Sequence, residues 1–272
     1  MKRNIKVLVV HGLAAKPMPT RLKGGINLCL DSLRFDQISL LYWADLAGWT
    51  PEDVYDPMNY RKPTGFARLT RQWHGIARQL TKGSVEHMTG LALKLYDVDS
   101  CGWCSVMMEA EARKTLLAHW AELPNYFQEK SHLRDCIFRR GSLLHDEFDV
   151  VIGHSMGSII LIDLMQQGVV RTKDLVTIGS PLGMGVIQHA MRRWYPARIP
   201  LRDAYSGEWL NVSDPLDIVS MDSTLDGEYP GCKVRDVSIE NDALTPTGKP
   251  HYHSLYGYLR CDPVQELIRR HQ

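Results

Sequence analysis

The stretch DVVIGHSMGSIILIDL, residues 149–164, restricts the possible architectures more than any other part of the chain. A short apolar run suited to a buried strand meets G-x-S-x-G, and a helix-compatible apolar segment follows at once. A strand that turns directly into a helix can hold one residue in a strained backbone conformation at the turn, with its side chain projecting away from the sheet. Ser155 occupies that position. Gly153 and Gly157 flank it two residues away on either side, where a Cβ would collide as strand and helix converge. The unpaired N–H groups and positive dipole end of the following helix would face any negative oxygen formed beside the serine. Ser155 is therefore the candidate nucleophile.

Apolar runs that read as buried strands recur at residues 5–10, 37–42, 150–153, 175–178, 209–212 and 234–239, with helical patterns at 126–144, 158–167 and 263–270. This alternation predicts an α/β fold with a mostly parallel central sheet flanked by helices. The 272 residues are expected to form one domain, 1–272. Between the second and third strand runs lie about a hundred residues, far more than a single crossover helix needs. A helical cap or lid insertion over 44–125 is expected there, before the nucleophile strand, where it could cover the C-terminal sheet edge at which α/β proteins bind ligands.

The hydrophobic fraction of 44% and charged fraction of 23% fit a globular chain, and no apolar run approaches the roughly 18 residues of a membrane span. A net charge of +1 gives no reason to expect nucleic acid. The N-terminus has a basic start, but its apolar run is short, is interrupted by Lys6 and leads into His11 and Gly12, so it reads as a core strand of a cytoplasmic protein. The six cysteines are then expected to be reduced. Cys101 and Cys104 form a C-x-x-C, yet no second pair completes a zinc set, so both read as structural thiols. Arg61, Lys62, Arg68, Arg71, Arg78 and Lys82 form a basic stretch with an apolar stripe. A solvated helix face is the plain reading, and peripheral contact with an anionic membrane is the alternative.

A serine hydroxyl needs a base, and the base needs a carboxylate to fix its tautomer. In folds built on G-x-S-x-G these partners follow in the order Ser, Asp or Glu, His. After the 209–212 strand run stand Asp214 and Asp217. Asp217 is preferred because it lies in the turn beyond the strand, whereas Asp214, next to Pro215, suits turn capping. After the last strand run stand His251 and His253. His253 is preferred because it leads directly into the last helical region. Two N–H donors must meet the developing oxyanion. The Met156 amide follows the nucleophile and the Leu13 amide ends the first strand loop. Gly12 and His154 are placed to line the substrate position, and His11 is expected to brace the loop.

Taken together, the His11-Gly12 pair, the Gly153 to Gly157 motif, the segment VTIGSPLG at 176–183, and the Asn211 to Asp217 and His253 to Tyr256 segments resemble the α/β-hydrolase superfamily, in particular its lipase- and esterase-like members. The resemblance implies an eight-stranded type of sheet carrying a cap. It also implies a serine acyl-enzyme mechanism on a small-molecule or lipid ester, without metal or organic cofactor. Acyltransferase, thioesterase or peptidase chemistry on the same residues, or a non-catalytic binding protein of this fold, are the alternatives.

Overall fold

A computed structural model describes residues 4–13, 16–51, 125–144, 147–195, 201–217, 219–220, 223–229, 231–245 and 250–272. Most of the expected cap, the basic stretch, and Cys101 and Cys104 lie outside the described residues.

Six strands, β1 (Val7–Val10), β2 (Ile38–Leu41), β3 (Phe148–His154), β4 (Thr172–Ile178), β5 (Trp209–Ser213) and β6 (Val234–Ser238), coincide with the six apolar runs. They form one sheet in the order β2-β1-β3-β4-β5-β6, and every pair is parallel. The resemblance implied eight strands; six pair among the described residues.

Side chains alternate between the two faces, as a two-residue period requires. Leu8, Val10, Val151, Leu175 and Trp209 enter one core with helices α2 (His132–Gly141), α3 (Met156–Gln166) and α4 (Gly185–Trp194). Val7, Val9, Val150, Ile152, Val176 and Leu210 enter the other with α1 (Pro19–Cys29), α5 (Leu255–Arg260) and α6 (Asp262–Arg269). Both faces of the inner strands are covered, and this explains why β1 and much of β3 read as apolar runs, whereas edge strand β6 carries exposed Arg235 and part-buried Asp236. Helices α1, α4 and α5 were not among those read from the sequence. Both α1 and α5 pack against the same face, and α1 carries Gly24 and Gly25, which blur its apolar stripe.

Helix α3 is apolar almost all round and fully buried from Met156 to Met165, the pattern of a helix enclosed on every side. Its one charge, Asp163, is 0% exposed. Arg134 of α2 holds it with two hydrogen bonds, 2.7 and 2.8 Å, and the hydroxyls of Tyr126 and Tyr195 donate to the same carboxylate. A buried charge persists only with such full pairing. Two turns further along α2, Arg140 donates to the Tyr42 carbonyl and to Asp45, each at 2.6 Å. The chain that follows β2 is thereby joined to the helix that leads into β3.

The strand order positions the site. From β1 the chain runs outward to β2 and then returns to the opposite side of β1 as β3, so the strand order reverses between β1 and β3, the point at whose C-terminal ends open α/β sheets bind ligands. Val10 pairs with Gly153, and this register brings the segments His11–Leu13 and His154–Met156 side by side.

Candidate active site

Ser155 has φ 54° and ψ −131°, and it is the only non-glycine residue with positive φ among the described residues. Such a conformation costs of order 1 to 3 kcal/mol and persists only where the surroundings enforce it. Here they do. The Ser155 N–H donates to the Ile178 carbonyl of β4, and its carbonyl accepts from the Ser158 amide and hydroxyl. The Ser158 hydroxyl also meets that of Ser180, at 2.7 Å. A Cβ on Gly157 would stand 2.3 Å from the Val10 carbonyl oxygen, so only glycine lets the helix start so close to β1. A Cβ on Gly153 would run into Ser158 Cα at 2.6 Å.

On the β1 side, a Cβ on Gly12 would stand 2.6 Å from the Ser155 Cβ, so the chain passes directly beside the serine. His11 is 0% exposed and stacked on Trp43, with ring centroids 5.2 Å apart. Its Nε2 accepts the Trp43 N–H at 3.0 Å, so Nδ1 carries the proton and donates to the Gly12 carbonyl at 2.6 Å. The Trp43 indole N–H in turn donates to the His11 carbonyl. No described peptide is cis, so the Leu13 N–H points opposite to the Gly12 carbonyl that His11 holds. Lys16 returns its ammonium to the Leu13 carbonyl and closes the loop. Burial and then the nearby Lys16 charge push the His11 pKa down to about 3, despite the Gly12 bond and Asp45, which act the other way. Burial brings Lys16 down to about 8.

Of the two aspartates after β5, Asp217 meets His253: its Oδ2 lies 2.7 Å from Nδ1. The same oxygen accepts the Tyr258 hydroxyl at 2.7 Å, and Oδ1 accepts the Val219 amide at 2.9 Å. Burial alone would raise the Asp217 pKa, yet the charge and hydrogen bond of His253, with Tyr258 and Val219, hold it below the usual carboxylate range. Asp214 instead accepts the Leu216 and Asn241 amides and caps the turn. Of the two histidines, His253 carries this bond to Asp217, and His251 lies nearby. Burial, and then the neighbouring His253, lower its pKa to about 4.

His253 is 9% exposed and Ser155 1%. The His253 ring lies against the ring of His154, centroids 4.7 Å apart, and thus beside the residue that precedes Ser155. His154, expected to line the substrate position, is 5% exposed, and its Nε2 lies 3.1 Å from the His253 carbonyl oxygen. Gly12 lies beside the serine, as described. Met156, first residue of α3, puts its amide at the free end of the helix next to Ser155.

Sequence reasoning missed Tyr258, which donates to Asp217 and accepts the Asp214 N–H at 2.9 Å. It also missed Asn241, whose side chain holds the Ser254 carbonyl. Neither stands in a local motif; each meets its partner only in the folded chain. Burial and the Asp217 charge drive the Tyr258 pKa well above normal, which keeps its hydroxyl a donor.

Among the described residues, no group of three His, Cys, Asp or Glu side chains could hold a metal ion, and no helix is long and apolar enough to cross a membrane. No protein-family model, curated protein or solved structure matches the chain.

Proposed function

We propose that the protein is a serine hydrolase that cleaves a carboxylic ester through an acyl-enzyme, on an α/β-hydrolase type of core with a cap over residues 44–125. One observation carries this reading: a strained Ser155 at the end of β3, whose neighbour His154 lies against the ring of a His253 bonded through Nδ1 to buried Asp217. Strain of this kind is retained where it serves a site.

In the proposed cycle the Nε2 of His253 takes the Ser155 proton as Oγ attacks the ester carbonyl. Asp217 keeps the proton on Nδ1 and stabilises the imidazolium. The tetrahedral oxyanion rests on the Leu13 and Met156 amides, where the loss of one donor typically costs about 3 kcal/mol of transition-state stabilisation. His253 then returns the proton to the departing alcohol, and water repeats the attack on the acyl-enzyme.

Intact mass after treatment with a fluorophosphonate tests the proposal. The wild type should gain one adduct and Ser155→Ala none. Asp217→Asn and His253→Ala should slow labelling far more than Asp214→Asn and His251→Ala do. A folded wild type that stays unlabelled would refute the reading. Turnover of p-nitrophenyl esters, a thioester and an amide then identifies the bond.

A further inference from the structure

The nucleophile and the base belong to different parts of the chain. Ser155 follows β3, whereas His253 lies in the loop entering α5, and a separation of 1 Å too much between such groups costs about 100-fold in rate. The main chain around His253 is held at three carbonyls. The His251 carbonyl accepts the Ser254 amide, and the Ser254 carbonyl accepts the Asn241 side chain at 2.9 Å. Those ties keep the loop on its own side of the sheet. The carbonyl of His253 itself is met from β3, by the Nε2 of His154 at 3.1 Å. A carbonyl only accepts, so that nitrogen carries the proton.

The His154 ring fills the space between the catalytic segments. Its face lies 4.7 Å from the His253 centroid and 6.2 Å from that of Tyr258, the residue that donates to Asp217. Its opposite edge faces the β1 loop, where a Cβ on Gly12 would come within 3.0 Å of Nδ1. The side chain is 5% exposed, so it has little surface with which to meet substrate.

We propose that His154 is a positioning residue for the base: the residue immediately before the nucleophile donates a hydrogen bond to the main chain of His253 and so sets the Ser155 to His253 separation from within the β3 turn. This inference rests on the hydrolase reading. It assigns the G-H-S of the motif a task within the protein rather than toward the ligand. The ring itself supplies packing against His253 and Tyr258, and the N–H supplies register; the two contributions separate by mutation.

Fluorophosphonate labelling rates of the full chain provide the test, with thermal midpoints recorded alongside. His154→Phe keeps an aromatic ring without the donor, and it should label about 10- to 100-fold more slowly than wild type while remaining folded. His154→Gln carries an amide N–H where Nε2 stood and should recover most of that loss. In a His253→Ala background, followed over hours, His154→Phe should change the residual rate less than two-fold (about), because there is no base left to position. Equal labelling of His154→Phe and wild type overturns the proposal. So does a loss in His154→Phe that persists undiminished on His253→Ala, since the residue would then act on Ser155 or on the fold at large. Failure of His154→Gln to recover any rate overturns the donor role. A folded wild type that takes no label overturns the hydrolase reading, and this inference with it.

Discussion

Acid should unlock the loop beside Ser155 through a single buried imidazole. His11 is neutral in the folded protein down to a pKa of about 3, whereas the unfolded chain gives it a value near 6.5. Between those limits the unfolded state binds a proton that the folded state refuses, so His11's contribution to stability is intact above about pH 6.5 and declines as pH falls toward about 3. At about pH 4.5 the deficit amounts to two pH units, or about 2.7 kcal/mol. The structural cause is plain: a proton on Nε2 would set N–H against the Trp43 N–H, inside an environment that solvates neither. Urea unfolding of wild type and His11→Gln at about pH 7 and about pH 4.5 measures the effect, because glutamine can accept the Trp43 N–H without titrating. Wild type should lose about 2.7 kcal/mol more than the variant across that interval, the other histidines cancelling in the comparison. Parallel losses in the two proteins would refute the reasoning. Labelling of Ser155 should also fall reversibly in acid, and less so in the variant, since His11 holds the peptide that presents the Leu13 amide.

Three more predictions concern the turn and its support. Ser155→Gly removes the strain at φ 54° and should stabilise the fold by about 1 kcal/mol in denaturant melts while abolishing labelling; a destabilised variant would argue against strain there. Gly157→Ala forces a Cβ onto the Val10 and His11 carbonyls and should cost about 3 kcal/mol or prevent folding, whereas the same change at Gly24, with open space around it, should be close to neutral or stabilising by melting temperature. Arg134→Met strands the Asp163 carboxylate and should cost about 3 kcal/mol, of which the double change with Asp163→Leu recovers a large part; additive losses in unfolding experiments would contradict the pairing.

How much of this was legible in the sequence depended on whether the signal was local. The inner strands were readable because a parallel sheet covered on both faces needs continuous apolar runs, and Val7 to Val10 or Val150 to Ile152 have no other use. The turn at Ser155 was readable because both its glycines are required within five residues. The order of the strands was not, since nothing local says that β3 lies beside β1 rather than β2. Asp214 and Asp217 have nearly the same sequence context. They separate only because Asn241 and Leu216 reach one, and Tyr258, Val219 and His253 the other. The bond from His154 to the His253 carbonyl was not legible either, since its partner lies 99 residues away. Along a strand successive side chains alternate in direction, and the turn sends His154 toward the His253 loop. Asp163 carried a usable hint, a lone acid among apolar helix residues, but its partners Arg134, Tyr126 and Tyr195 are scattered along the chain.

The clasp between Arg140, Tyr42 and Asp45 has a consequence for how proteins of this design can diversify. It fastens the chain that follows β2 to the helix that leads into β3, so these two do not depend on the long connection between them to find each other. The entropy of closing a connection grows only with the logarithm of its length, by about 0.6 kcal/mol per doubling. The length of chain between Asp45 and α2 can therefore change at little cost to the sheet.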